Sequence, residues 1–201
     1  MTTTGKRGPY RGTAARRREI VDAAAEVFGE SGYRAGSLKD IAGRVGIDAS
    51  SLLHHFGSKH VLLEAVLADK VSRDAQALHW DEEIEPAEFP AALIRLAERN
   101  AANPGVIGLY TVLLAESTTV DHPSADFFRD RHATTRRDFL RGFDAMAEAG
   151  LLAEDVTPQE AALSTLAIWD GAQTQWLLDP GAIEVVAVLR GHFRRITRVE
   201  V

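Results

Sequence analysis

Apolar positions recur every three to four residues along nearly the whole chain, which predicts helix after helix and few strands. Ile20, Ala24, Val27 and Phe28 form the first stripe. It begins after Thr13, an N-cap residue, and ends at Gly32, a C′ residue. Leu38, Ile41, Ala42 and Val45 make a second, shorter stripe, capped by Ser37. Asp40, three residues after the cap, is spaced to reach back to it or to favour the positive helix end. Leu52 and Phe56 mark a third helix, opened by Asp48 as its N-cap and closed by Gly57-Ser58. A fourth starts near Lys59 and carries Leu62, Val66, Leu67 and Val71 to about His79.

An acidic break from Trp80 to Pro86 interrupts the pattern. Beyond it the breakers Asn103-Pro104, His122-Pro123-Ser124, Gly150, Thr157-Pro158 and Asp179-Pro180-Gly181 separate further helices, the last ending near Val199. The fold class expected is all-α, about nine helices, with no internal repeat. Residues 1–12 read as a flexible basic arm, residues 13–60 as a helix-turn-helix domain with its motif at about 37–56, and residues 61–201 as a second helical domain.

Composition narrows the classes. Hydrophobic residues make up 45% of the chain and charged ones 26%, a globular balance. Cysteine is absent, which removes disulfides, thiolate metal sites and a cysteine nucleophile. No apolar run is long enough to span a bilayer, and the basic start lacks the apolar stretch of a secretory signal. A cytoplasmic protein with no membrane contact is expected. The net charge of −6 is unevenly spread. Residues 1–60 hold 10 Lys and Arg against 6 Asp and Glu, while residues 61–201 hold 13 against 23. A basic head on an acidic body suits binding of a polyanion by the head; a solvated basic tail is the other explanation.

The segment from Ser37 to Phe56 gives the head a shape. Two short helices meet at Gly46, which supplies a positive φ, with small Ala42 permitting close approach and Ile47 filling the angle. Such a unit lets its second helix stand proud and enter a major groove, although a helical hairpin inside a bundle fits the same pattern.

More specific features surround it. Residues 13–64 contain Ile20-Val21-Asp22-Ala23-Ala24 leading to Phe28, Gly32-Tyr33, Ser37 to Ala42, Val45-Gly46-Ile47, His55-Phe56-Gly57-Ser58-Lys59 and Leu62-Leu63. In these the chain resembles the tetracycline-repressor-type (TetR) transcriptional regulators. The segment from Trp169-Asp170-Gly171 to Asp179-Pro180 is similar to that family's ligand and dimerisation domain. Ser50 and Leu53 depart from the family pattern, which has Gly and Tyr there. The Tyr commonly meets a phosphate, and Leu53 cannot donate a hydrogen bond to one.

The resemblance implies a regulator, most often a repressor, that binds double-stranded DNA as a homodimer and answers to a small-molecule effector. It implies backbone contacts for Lys59, His55 and Ser37; packing against Phe56 is the other reading of His55. Arg16 and Arg17, near the start of the first helix, are expected phosphate ligands, and Lys6, Arg7 and Arg11 of the arm suit an adjacent minor groove or a solvated tail. If Leu52 and Phe56 face inward, Ala49, Ser50, Ser51 and His54 face the groove, with Lys39 and Arg44 of the preceding helix as further candidates.

For the body, the resemblance implies an effector site among the middle helices. Phe128, His132 and Phe139 share one helical face, Trp169, Gln173 and Trp176 another, and Tyr110 and Ser117 lie seven apart on a third. Each also reads as ordinary core. A largely apolar site with few polar groups suits a hydrophobic or aromatic effector. Ile183, Val185, Val186, Ala187, Val188 and Leu189 leave the last helix apolar on most sides, so the last two helices are the expected dimer interface. A small helical enzyme and an adaptor without DNA binding are the competing classes. Adjacent His54 and His55 point about 100° apart on a helix and suit no shared metal. With no zinc-protease, nucleophile-elbow or phosphate-loop motif, no enzymatic activity, cofactor or metal is expected.

Overall fold

The computed structural model describes residues 9–77, 85–119, 121, 122 and 124–201, with side chains from residue 13 onward. Lys6 and Arg7 of the basic arm, and most of the Trp80–Pro86 break, lie outside them. Among the described residues there are nine α-helices and a single 3-10 turn, Pro86–Glu88. They divide between two compact units, Met1–Ser72 and Arg73–Val201.

The first unit holds α1 (Pro9–Ala35), α2 (Leu38–Val45), α3 (Ala49–Phe56) and most of α4 (Lys59–Ala77). The apolar stripe of α1 is buried as its spacing predicts: Ile20, Ala24 and Phe28 are fully enclosed. The helix begins at Pro9, ahead of the expected cap at Thr13, because a proline is pre-set for the first helical turn. At Gly32 the backbone leaves helical geometry (φ 74°, ψ 163°), where the sequence placed the helix end. The unit runs on to Ser72 rather than stopping at residue 60, since the first turns of α4 belong to it.

The second unit is built from α5 (Phe89–Ala101), α6 (Pro104–Glu116), α7 (Ala125–Glu148), α8 (Pro158–Leu178) and α9 (Val185–Ile196). Its core gathers Phe89, Leu93, Phe139, Phe143, Met146, Trp169, Leu189 and Phe193. Thr157 and Glu160 form a capping box at the start of α8, each side chain bonding the other's backbone amide. The last helix stops at Ile196 instead of reaching Val199. There the chain turns to pair with the α7–α8 connection: Ala153 N–H donates to the Ile196 carbonyl and Arg198 N–H to the Leu151 carbonyl. This pairing is tertiary, so helical periodicity could not reveal it. No helix among the described residues is long and apolar enough to cross a membrane.

Candidate functional site

The turn between α2 and α3 is fixed by backbone chemistry. Gly46 sits in the left-handed region at φ 71°, ψ 37°. Ile47 N–H donates to the Ala42 carbonyl at 3.0 Å and Gly46 N–H to the Gly43 carbonyl at 3.3 Å, the paired bonds of a Schellman ending. At the other end of α2, Ser37 accepts from the Asp40 amide at 3.1 Å and donates to its carboxylate at 2.6 Å. Asp48 occupies the cap position of α3 but makes no side-chain cap; it accepts from the Ser50 hydroxyl at 3.4 Å instead.

Leu52 and Phe56 anchor α3 inward, fully buried or nearly so. The opposite face carries Ser50, Leu53 and His54, all exposed, with Ala49, Ser51 and His55 half-buried beside them. The His54 and His55 rings meet edge to face at 6.2 Å. Leu53 is 38% exposed, an apolar contact surface in the middle of a polar face. Lys39 stands exposed on the first turn of α2, where helix-terminal amides also favour an anion, and it has no ion pair among the described residues.

Four expected DNA ligands are engaged within the unit. Arg44 pairs with Glu26 at 2.9 Å and with Glu30, so its guanidinium is neutralised by α1. Lys59 donates to the Arg34 carbonyl at 3.2 Å and lies 4.7 Å above the Tyr33 ring, and desolvation holds its ammonium below the usual lysine range. Arg16 donates to the Val45 carbonyl at 3.3 Å and pairs with Glu19 at 2.8 Å. Arg17 donates to the His55 carbonyl at 2.9 Å, with its guanidinium 4.0 Å from the centre of the Phe56 ring. Arg18, not singled out by the sequence, is exposed.

In the body the expected effector residues separate. Tyr110 and the buried Phe128 meet edge to face at 5.1 Å. Trp169 Nε1–H donates to Gln173 Oε1 at 3.2 Å, and Gln173 Nε2–H reaches Thr111 Oγ1 at 3.5 Å. Trp176 is half-buried against the core, while Phe139 packs with Phe89 inside it. Ser117 lies past the end of α6, and its hydroxyl is spent on the Leu114 carbonyl at 2.7 Å. Among the described residues His132 Nε2 has no hydrogen-bond partner although it is buried, and burial lowers the imidazole pKa. Asp170 is exposed overall, yet desolvation raises its carboxyl pKa, opposed by the charge of nearby His132. Burial likewise raises the Tyr110 hydroxyl pKa, opposed chiefly by the nearby Arg131 charge. Thr111, Arg131 and Asp170 join these side chains although aromatic spacing does not point to them. Among the described residues no three His, Asp or Glu side chains gather as a metal would require.

Residues 20–66 match the family model described as bacterial regulatory proteins, tetR family. The chain carries a TetR-family domain. Over 56 residues it is 45% identical to the HTH-type transcriptional repressor KstR2 of Rhodococcus jostii strain RHA1, a match spanning 28% of each chain. The segment shared with that relative is thus under a third of its length. The likeness of fold extends further than the TetR-family domain. A TetR transcription regulator from Haloarcula marismortui superposes with a TM-score of 0.78 at 20% identity, covering 90% of this chain and 96% of that one. AibR, in complex with isovaleryl coenzyme A and operator DNA, does so at 0.65 and 21%, covering 88% and 95%.

Proposed function

We propose that the chain is a ligand-responsive, DNA-binding regulator of transcription, acting as a homodimer on a palindromic operator and released from it by a small hydrophobic or aromatic effector. The observation that carries this reading is the outward face of α3, Ser50, Leu53 and His54, held up by a capped α2 and a glycine turn inside the TetR-family domain. AibR, which shares the fold, has been captured with both a small molecule and operator DNA.

A stripe on α8 supports the homodimer. Leu163 (58% exposed) and Leu178 (82%) flank the exposed Ala167, Gly171 and Thr174 at helical spacing. Small residues between large apolar ones allow two helix backbones to approach closely. On α9, Val185, Leu189, His192 and Phe193 turn inward, leaving Ala187 and Val188 exposed for the same contact. Tyr110, Phe128, His132, Trp169 and Gln173 are the residues proposed for the effector, which biases the body between two arrangements and, through α4, the DNA-reading units. The relatives are regulators, and the chain is read as having no catalytic role.

Selection from a random duplex pool tests the reading. Wild-type chain is expected to enrich an inverted repeat whose half-sites lie about one helical turn apart, roughly 34–36 Å. Failure to enrich any sequence, with equally weak retention of the whole pool, overturns it.

A further inference from the structure

The two adjacent arginines of α1 do something other than what their charge suggests. The final four carbonyls of any α-helix lack intrahelical partners, and the C-terminal end carries partial negative charge. Val45 is the last residue of α2, and His55 the last but one of α3. Their carbonyls are the acceptors taken by Arg16 and Arg17. Successive residues of one helix point about 100° apart, so neighbouring side chains diverge to two different helix ends. Each guanidinium is further committed. Arg16 is paired with Glu19, and the Arg17 guanidinium carbon lies 4.0 Å over the ring of Phe56, the residue that anchors α3 inward.

We propose that Arg16 and Arg17 are positioning residues that cap the C-terminal ends of α2 and α3 and set the pose in which α3 meets the duplex. They brace the reading helix and do not carry phosphate. The DNA half of this inference rests on the proposed function, whereas the bracing half concerns the free protein.

The chemistry separates a brace from a phosphate ligand. Removing a phosphate contact weakens binding to every duplex and makes the dependence of log K on log salt shallower by about 0.9. Removing a brace leaves the charge at the interface unchanged. It costs affinity where α3 must be held in register, on a chosen sequence, and much less on random DNA. Lysine is an adequate point-charge ligand for phosphate but lacks the flat, forked guanidinium that stacks and donates together.

Arg17→Ala, Arg17→Lys and wild type are to be titrated against the duplex enriched by wild type and a random duplex of equal length, each at several salt concentrations. Hydrogen exchange of the free proteins is to be followed over residues 49–57. Arg17→Ala should lose about tenfold on the enriched duplex and under about twofold on the random one, with an unchanged salt slope. Arg17→Lys should not restore the loss, and amides at the end of α3 should exchange faster in both variants. Equal losses on both duplexes with a shallower slope, full rescue by lysine, or unaltered exchange in α3 would each overturn the brace. If wild type enriches no duplex the regulator reading fails, while the exchange measurement still decides the brace.

Discussion

The ring of Phe89 lies directly over Gly142 of α7, so that a Cβ added to the glycine would stand 2.6 Å from Phe89 Cε1 and closer still to Cζ. Helix propensity alone favours alanine over glycine there by about 1 kcal/mol. Overpacking a well-filled site costs roughly 1–3 kcal/mol, and the ring is wedged edge to face against Phe143 at 5.2 Å, leaving it little room to yield. Gly142→Ala is therefore expected to destabilise the chain by up to about 2 kcal/mol in denaturant unfolding. In a Phe89→Leu background the same change should be neutral or stabilising. A loss of equal size in both backgrounds would mean that the ring is not the obstacle.

His192 and Thr165 give a pH dependence. The Thr165 hydroxyl donates to the Ala161 carbonyl at 2.6 Å, so its oxygen accepts from His192 Nε2–H at 3.0 Å. Burial, with Arg195 nearby, lowers the His192 pKa from its ordinary 6.5, and burial lowers that of His132 in the same direction. A depressed histidine contributes stability that is complete above the ordinary value and lost as pH falls through the lowered one. Thermal unfolding should show a midpoint that drops between about pH 7.5 and about pH 5.5, with a smaller drop for His192→Asn. Identical slopes for the two would remove His192 from the account.

The α8 stripe predicts an oligomeric state. Leu163→Arg or Gly171→Glu places a charge where two copies are proposed to meet, without entering the core, because both positions are exposed. Sedimentation should give wild type twice the 21.9 kDa of one chain and each variant a shift toward the single-chain mass. Unchanged folding by circular dichroism is expected alongside. Variants that remain at the double mass would move the interface elsewhere.

Lys39 and Ser51 are expected to behave differently on DNA. Lys39→Ala should weaken binding to enriched and random duplexes alike and make the salt dependence shallower by about 0.9. Ser51→Ala should chiefly change which sequences are enriched, with a cost of about 1–3 kcal/mol at the position it reads. If both changes weakened all duplexes equally, the division between phosphate and base contacts would be wrong.

The helix-turn-helix was legible because its determinants are local. A serine cap, a left-handed glycine and apolar residues at helical spacing act within a few residues of one another, and Ser37, Gly46 and Leu52 stand as their types predict. What the sequence could not show is where long side chains go. Arg16, Arg17, Arg44 and Lys59 are basic residues near α3, and their position and the family resemblance point all four toward DNA. Their turning back onto carbonyls, carboxylates and rings of the same unit depends on how α1 crosses α2 and α3. The body shows the same limit. Aromatic spacing groups Phe139 and Trp169, which share the core, with Tyr110 and Phe128, and it does not reach Asp170 and Arg131, whose relation to His132 and Tyr110 arises only when α6, α7 and α8 assemble.

The absence of cysteine makes the central claim directly measurable. Ser50→Cys introduces a unique thiol on the exposed face of α3, to which an iron–EDTA cleavage reagent can be attached. Bound to the enriched duplex, this derivative should cut the strands in two clusters about one helical turn apart, one from each copy. The same reagent on Asp155→Cys, exposed on the body and outside the proposed dimer stripe, should leave the duplex intact. Binding without cleavage from position 50, or equal cleavage from both positions, would contradict the insertion of α3 into DNA.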